Sequence, residues 1–226
     1  NWSGFESFKY NFKGNFDKFK NIIKTYNTIR ENRQCLNPYN LEVDYVLNPE
    51  LPIQIVNNVI DNELLSLLQK YYNDTIDGNT WELGDRQSNR YKAYNEPMSR
   101  FLHYEILPLI EKIVGKSLKP TYTYLSAYVK GADLPPHTDR PDCEYTVSFV
   151  VDKPEGSNWN IYVHKPKQLV KHKGRYDEEP QLEECEAVDC DAGGLMLFQG
   201  TDHIHFREVL EHDYYNVLLL HYCSIY

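Results

Sequence analysis

The feature that most constrains this chain is a change of period at Lys119. Beyond it, apolar residues fall into short β-branched or aromatic runs. These are Tyr122–Val129, Glu144–Val151, Trp159–Val163, Leu182–Val188, Gly194–Gln199, His203–Val209 and Tyr215–Tyr222, with Gly, Pro and Asp turns between them. Runs of this kind read as strands, and a series of them after helices predicts a mainly β sandwich or barrel with flanking α-helices on one side. No internal repeat or low-complexity tract competes with that reading.

Ahead of Lys119 the spacing is helical. Phe16, Phe19, Ile22, Ile23, Tyr26 and Ile29 lie on one face of a helix. Ile53–Val56 is β-like, and Asp61 can cap a helix over Asn62–Tyr72 that buries Leu64, Leu65, Leu67 and Leu68. Phe101–Val114 predicts a further helix, kinked or restarted at Pro108 because proline cannot donate to the preceding turn. Residues 73–97 are polar and turn-rich yet hold Trp81, Arg86, Arg90, Tyr91 and Tyr94. Solvated surface and a substrate lid are equally compatible with such a loop. Residues 1–50 form an N-terminal helical extension and linker, and 51–226 the main domain.

Composition limits the function classes. A chain of 226 residues can bury a core without disulfide or structural-metal staples. Its net charge of −9 argues against a nucleic-acid partner and against an anionic membrane surface, though a local basic pocket is compatible with it. Cys35, Cys143, Cys185, Cys190 and Cys223 are odd in number and lack Cys-x-x-Cys spacing, so unpaired thiols in a reducing, cytoplasmic setting are expected. No long apolar run suggests a membrane span.

The chemistry-bearing residues lie in two places. His137-Thr138-Asp139 follows Leu134-Pro135-Pro136, and residues two apart in extended chain project to one side. Downstream, Gly200-Thr-Asp-His-Ile-His-Phe-Arg207 offers His203 and His205, again sharing a face, and either can supply a second imidazole. A lone strand histidine is usually a hydrogen-bonded core residue. Two in a turn–strand context, opposite a His-x-Asp pair, favour a metal. Two imidazoles and one carboxylate on one face, with open positions opposite, suit non-haem Fe(II).

Tyr128-x-x-Gly131-x-x-Leu134-x-x-His137-x-Asp139 resembles the metal-binding signature of the 2-oxoglutarate- and Fe(II)-dependent dioxygenases, in their prolyl-hydroxylase-like branch. Ile53–Leu68 resembles the strand and helix that open that domain. Gly200–Glu208 is similar to a branch with a Gly-Thr-Glu-Leu-Glu-His-Trp-Arg-type motif. The resemblance covers about residues 51–226. It implies a double-stranded β-helix (jelly-roll, cupin-like) core, Fe(II) on His137, Asp139 and His205, and 2-oxoglutarate as cosubstrate. Small-molecule or peptidyl substrates, with O2, would then be hydroxylated, and succinate and CO2 released.

The chain departs from that family where the distal carboxylate of 2-oxoglutarate is usually held. No Lys or Arg follows Arg207. Arg207, two residues from His205, is therefore the expected anchor, since a guanidinium grips a carboxylate with two parallel hydrogen bonds. Tyr128 and Ser148 are further cosubstrate contacts, and Arg140 and Lys130 fallback anchors. His212 and His221 are expected to be structural, and Arg86, Arg90, Tyr91, Tyr94 and Arg140 to lie near the substrate. The competing expectation is a non-catalytic cupin-like binding domain or inactive oxygenase homologue, which the missing downstream cation would favour.

Overall fold

A computed structural model of the chain describes residues 16–32, 51–77, 82–85, 87–169 and 174–225. Cys35, Trp81 and Arg86 lie outside the described residues.

The strand-rich part forms two antiparallel sheets. The larger has seven strands in the order β1 (Ile53–Val56), β9 (Leu195–Phe198), β6 (Tyr145–Asp152), β11 (Tyr214–Ser224), β4 (Leu118–Val129), β3 (Arg90–Tyr94) and β2 (Glu82–Leu83). The smaller has four, in the order β5 (Leu134–His137), β10 (His205–Arg207), β7 (Ile161–His164) and β8 (Cys185–Val188). This is the expected β architecture with flanking helices. β5 contains Pro135 and Pro136, which cannot donate to a ladder. It tolerates them because it is an edge strand.

Alternation along the large sheet separates two cores. Leu125, Val147, Phe149, Leu195, Leu197, Leu218 and Leu220 face the helices. Tyr128, Val150, Met196, Phe198, Tyr215 and Val217 face the small sheet. Successive strand side chains point to opposite faces, so one strand serves both.

Among the described residues, four helices cover the outer face: α1 (Phe16–Asn32), α2 (Asn62–Asp77), α3 (Pro97–Glu105) and α4 (Leu107–Val114). α1 buries Phe19, Ile22 and Tyr26 in the helix-side core, and the Tyr26 hydroxyl donates to Glu105 at 2.6 Å. Asp61 caps α2 as expected, accepting from the Glu63 N–H at 2.8 Å. The single helix expected over 101–114 is two, joined at Ile106, since Pro108 cannot continue the α3 ladder. α3 also begins earlier, at Pro97, because the buried Glu96 carboxylate accepts from the N–H groups of Met98 and Ser99 and from the hydroxyls of Tyr71 and Tyr72.

The polar stretch 73–97 is more ordered than its composition suggests. α2 runs to Asp77, and Arg90–Tyr94 is a strand paired with β4 along its whole length. Cys143, Cys185, Cys190 and Cys223 are free thiols. Among the described residues, no helix is long and apolar enough to cross a membrane.

Candidate metal centre

β5 and β10 are hydrogen-bonded neighbours, and their ladder sets His205 directly opposite His137. The two imidazole centroids lie 4.2 Å apart. Asp139 follows just beyond the end of β5, where its backbone N–H donates to the Gly200 carbonyl at 2.8 Å. Its Oδ1 is 3.7 Å from His137 Nε2 and 3.6 Å from His205 Nε2. One donor atom from each of the three lies within 4.8 Å of the others. His205 is remote in sequence from His137 and Asp139, and a single ladder register brings it to them.

The surrounding hydrogen bonds set which nitrogens are free. His137 Nδ1 is 2.8 Å from the Pro135 carbonyl, and His205 Nδ1 is 3.0 Å from the His203 carbonyl. A carbonyl only accepts, so each Nδ1 carries its hydrogen, and Nε2 is the ring atom left to ligate on the side of Asp139 Oδ1. Thr146 donates to Asp139 Oδ2 at 2.6 Å. Its one hydrogen is thereby used, so at the 3.1 Å contact His221 Nδ1 donates to Thr146. Asp139 is thus oriented from the β6 and β11 side, with Oδ1 left toward the imidazoles. Gly200 completes the fit by its bareness: a Cβ there would collide with Asp139 Oδ2 and sit 2.7 Å from Thr146 Oγ1.

Titration follows from burial and neighbours. Desolvation and the adjacent His205 push His137 down to about 4, and desolvation takes His221 to about 4. Burial alone would raise Asp139, but the imidazoles of His205, His137 and His221 around it hold the carboxyl well below the usual range. At neutral pH His137 is therefore a neutral imidazole and Asp139 a carboxylate. That is the protonation state in which these side chains hold a divalent metal.

The three residues sit in the wall of a cavity of about 560 Å³. Tyr128, Ser148 and Arg207 line it as well. Arg207 is buried, with its guanidinium 4.5 Å from the Trp159 ring centroid and 4.9 Å from that of Tyr215. It donates to the Trp159 carbonyl, and among the described residues no carboxylate pairs with it.

Other expectations fare differently. Tyr128 is fixed by Arg90, which donates to its hydroxyl at 2.7 Å while its Nε donates to Asp85 at 2.9 Å. Arg90, expected in a loop, is instead a buried strand residue of the cavity wall, because its ladder partner is Tyr128 itself. Arg140 lines the cavity. His203 does not; its Nδ1 meets the His164 carbonyl at 2.8 Å. Lys130 is exposed beside Asp213, 3.8 Å away, and Tyr94 is exposed against the Tyr122 ring. His221, expected to be purely structural, orients Thr146. Thr146 was not legible, since a hydroxyl carries no motif of its own, and Gly200 was legible as part of a motif but not for the room it leaves Asp139.

Neither a protein-family model nor any curated protein sequence matches the chain. Solved structures do match. One is a Pseudomonas putida prolyl-4-hydroxylase, with a TM-score of 0.54 and 10% identity over 78% of this chain and 94% of that one. A second is SnoK, a non-haem α-ketoglutarate-dependent carbocyclase from nogalamycin biosynthesis, with a TM-score of 0.59 and 12% identity over 79% and 82%. A third is a Trichoplax adhaerens prolyl hydroxylase in complex with a hypoxia-inducible-factor peptide fragment, with a TM-score of 0.58 and 15% identity over 78% and 85%. The chain has the double-stranded β-helix fold of the 2-oxoglutarate- and Fe(II)-dependent oxygenases.

Proposed function

We propose that this chain is an Fe(II)- and 2-oxoglutarate-dependent dioxygenase that hydroxylates a C–H bond of a small-molecule or peptidyl substrate. The observation that carries the reading is the convergence of His137 Nε2, His205 Nε2 and Asp139 Oδ1 at one point of the cavity wall. Each is backed by an outer hydrogen bond that fixes its donor atom.

In this reading His137, Asp139 and His205 hold the metal, and Arg207, Tyr128 and Ser148 receive 2-oxoglutarate. Bound there, Fe(II) supplies O2 activation coupled to the conversion of 2-oxoglutarate to succinate and CO2. The protein's part is positioning. Arg207 packs against the Trp159 and Tyr215 rings and donates to the Trp159 carbonyl, so its guanidinium is ordered before a carboxylate arrives and little rotamer entropy is lost on binding. Arg90 holds the Tyr128 hydroxyl in place from the neighbouring strand. Leu134, Ile161, Phe198, Val217 and Leu219 make part of the wall apolar, which limits water at the reacting centre. Asp139 fills the third protein position with a carboxylate, leaving none for a halide, so hydroxylation is favoured over halogenation.

The test is succinate formation with purified protein, Fe(II) and 2-oxoglutarate. Arg207→Gln should raise the 2-oxoglutarate requirement roughly 10–100-fold, the worth of a lost charge-assisted hydrogen bond, and leave Fe(II) affinity unchanged. An unchanged requirement would remove Arg207 from the cosubstrate site.

A further inference from the structure

The cavity carries more positive charge than the reaction above uses. Four arginines line it, Arg90, Arg140, Arg175 and Arg207, against two carboxylates, Asp85 and Asp139. Asp85 is spent on Arg90. Asp139 is spent on the imidazole pair, and Arg207 is reserved for the cosubstrate. Arg140 and Arg175 remain, and among the described residues neither makes an ion pair with a carboxylate. Both are exposed at the mouth of the cavity. In a chain of net charge −9, this is a local concentration of the minority charge.

Both are also held in place. Arg140 follows Asp139 directly, and its guanidinium donates to the Tyr122 hydroxyl at 2.8 Å while lying 5.2 Å from that ring's centroid. Arg175 belongs to a short segment pinned along the free edge of β5. The Thr138 N–H donates to the Gly174 carbonyl at 2.9 Å, the Tyr176 N–H donates to the Pro136 carbonyl at 2.9 Å, and Arg175 forms a β-bridge with His137. Arg140 therefore adjoins Asp139 along the chain, Arg175 adjoins His137 across the sheet edge, and both line the same cavity. An ion held between them would stand at the rim while the body of its molecule reached the metal centre.

We propose that the substrate is a small molecule bearing an oxyanion, a carboxylate or a phosphate, received by Arg140 and Arg175. This rests on the oxygenase reading for the site's chemistry, but the anion pocket itself depends only on the two guanidiniums. Guanidinium suits either group because both offer two oxygens in the plane of its paired N–H donors. A cavity of about 560 Å³ is the size of a small-molecule site, which argues for a discrete molecule over a polymer groove.

The experiment is calorimetric titration of the full chain with phenyl phosphate, phenylacetate and neutral phenylacetamide. Mn(II) is present and 2-oxoglutarate is kept saturating, so that a carboxylate probe cannot report on Arg207. At least one anionic probe should bind ten-fold or more tighter than the amide, with affinity falling as salt rises. The Arg140→Gln/Arg175→Gln double variant should lose that advantage, and Arg140→Lys/Arg175→Lys should recover part of it. Because both residues are exposed, an unchanged melting temperature is expected in each variant. The stronger of the two anions identifies the group. Equal binding of acid and amide, or full affinity in the double glutamine variant, overturns the proposal. Anion binding that persists in a protein unable to bind Mn(II) and 2-oxoglutarate would sink the oxygenase reading and leave the arginine pocket standing.

Discussion

The two faces of the seven-stranded sheet are built from the same strands and do opposite work. On β11, Leu218 and Leu220 enter the helix-side core, while Val217, Leu219 and His221 line the cavity. On β6, Val147 and Phe149 face the helices, and Thr146 and Ser148 the cavity. The helix side is a continuous apolar cluster into which α1, α2, α3 and α4 all insert. The cavity side holds arginines, histidines, tyrosine hydroxyls and a carboxylate. A period of two lets neighbouring residues answer to different demands, so stability and chemistry are separable by single substitutions.

The largest separation should come from Asp139→Ala. On the cavity side it removes a donor atom and should abolish Fe(II) binding and turnover, a loss beyond the roughly 10–100-fold that an outer partner costs. Thermal unfolding should stay cooperative. His205→Ala should behave alike and His203→Ala should retain activity; the reverse pattern would reassign the second imidazole.

On the opposite face, Leu218→Ala should cost about 2–5 kcal/mol of folding stability, measured by denaturant unfolding, because it opens a void in a fully buried cluster. The folded fraction should still bind metal with unchanged affinity. Metal binding lost in proportion to stability would show that the two faces are coupled.

Gly200→Ala is a smaller and sharper probe. One methyl group should displace the Asp139 carboxylate and weaken metal affinity roughly 10–100-fold, about the effect of losing an outer-shell partner, with little change in stability. Titration of the variant with Fe(II) under argon would measure it.

A pH effect on the helix side tests the comparison from the other direction. His103 is fully buried, its Nε2 2.8 Å from the His221 carbonyl and its Nδ1 3.0 Å from Arg100, and desolvation lowers it to about 3. Its folded value lies below the unfolded one, so the unfolded chain binds the extra proton between about pH 6.5 and 3. The stability it contributes is complete above that window and is lost as pH falls through it, by roughly 1.4 kcal/mol per unit. His103→Gln should flatten the acid limb of a stability-versus-pH curve by about that slope.

How much of this was legible follows from what each feature needs. The strand-rich architecture and the α2 cap rest on local periodicity and side-chain chemistry, and both could be read directly. His137, Asp139 and His205 were legible because a metal site requires unusual residue types at tight spacing. Spacing alone left His203 and His205 open, the resemblance favoured His205, and the β5–β10 register sets His205 opposite His137. Arg90 was misplaced because Gly84, Asp85, Ser88 and Asn89 around it read as turn. Its strand is held by pairing with β4, a contact remote in sequence. Gly200 contributes by absence, and only the position of Asp139 reveals that a side chain there has no room.

The most direct test is an anaerobic titration of the metal-free protein with Fe(II) and then 2-oxoglutarate, monitored by visible absorption. The account predicts the metal-to-ligand charge-transfer band of the chelate at one equivalent of each, absent in Asp139→Ala. Fe(II) binding without the band would contradict the cosubstrate assignment, and no Fe(II) binding at all would contradict the metal centre itself.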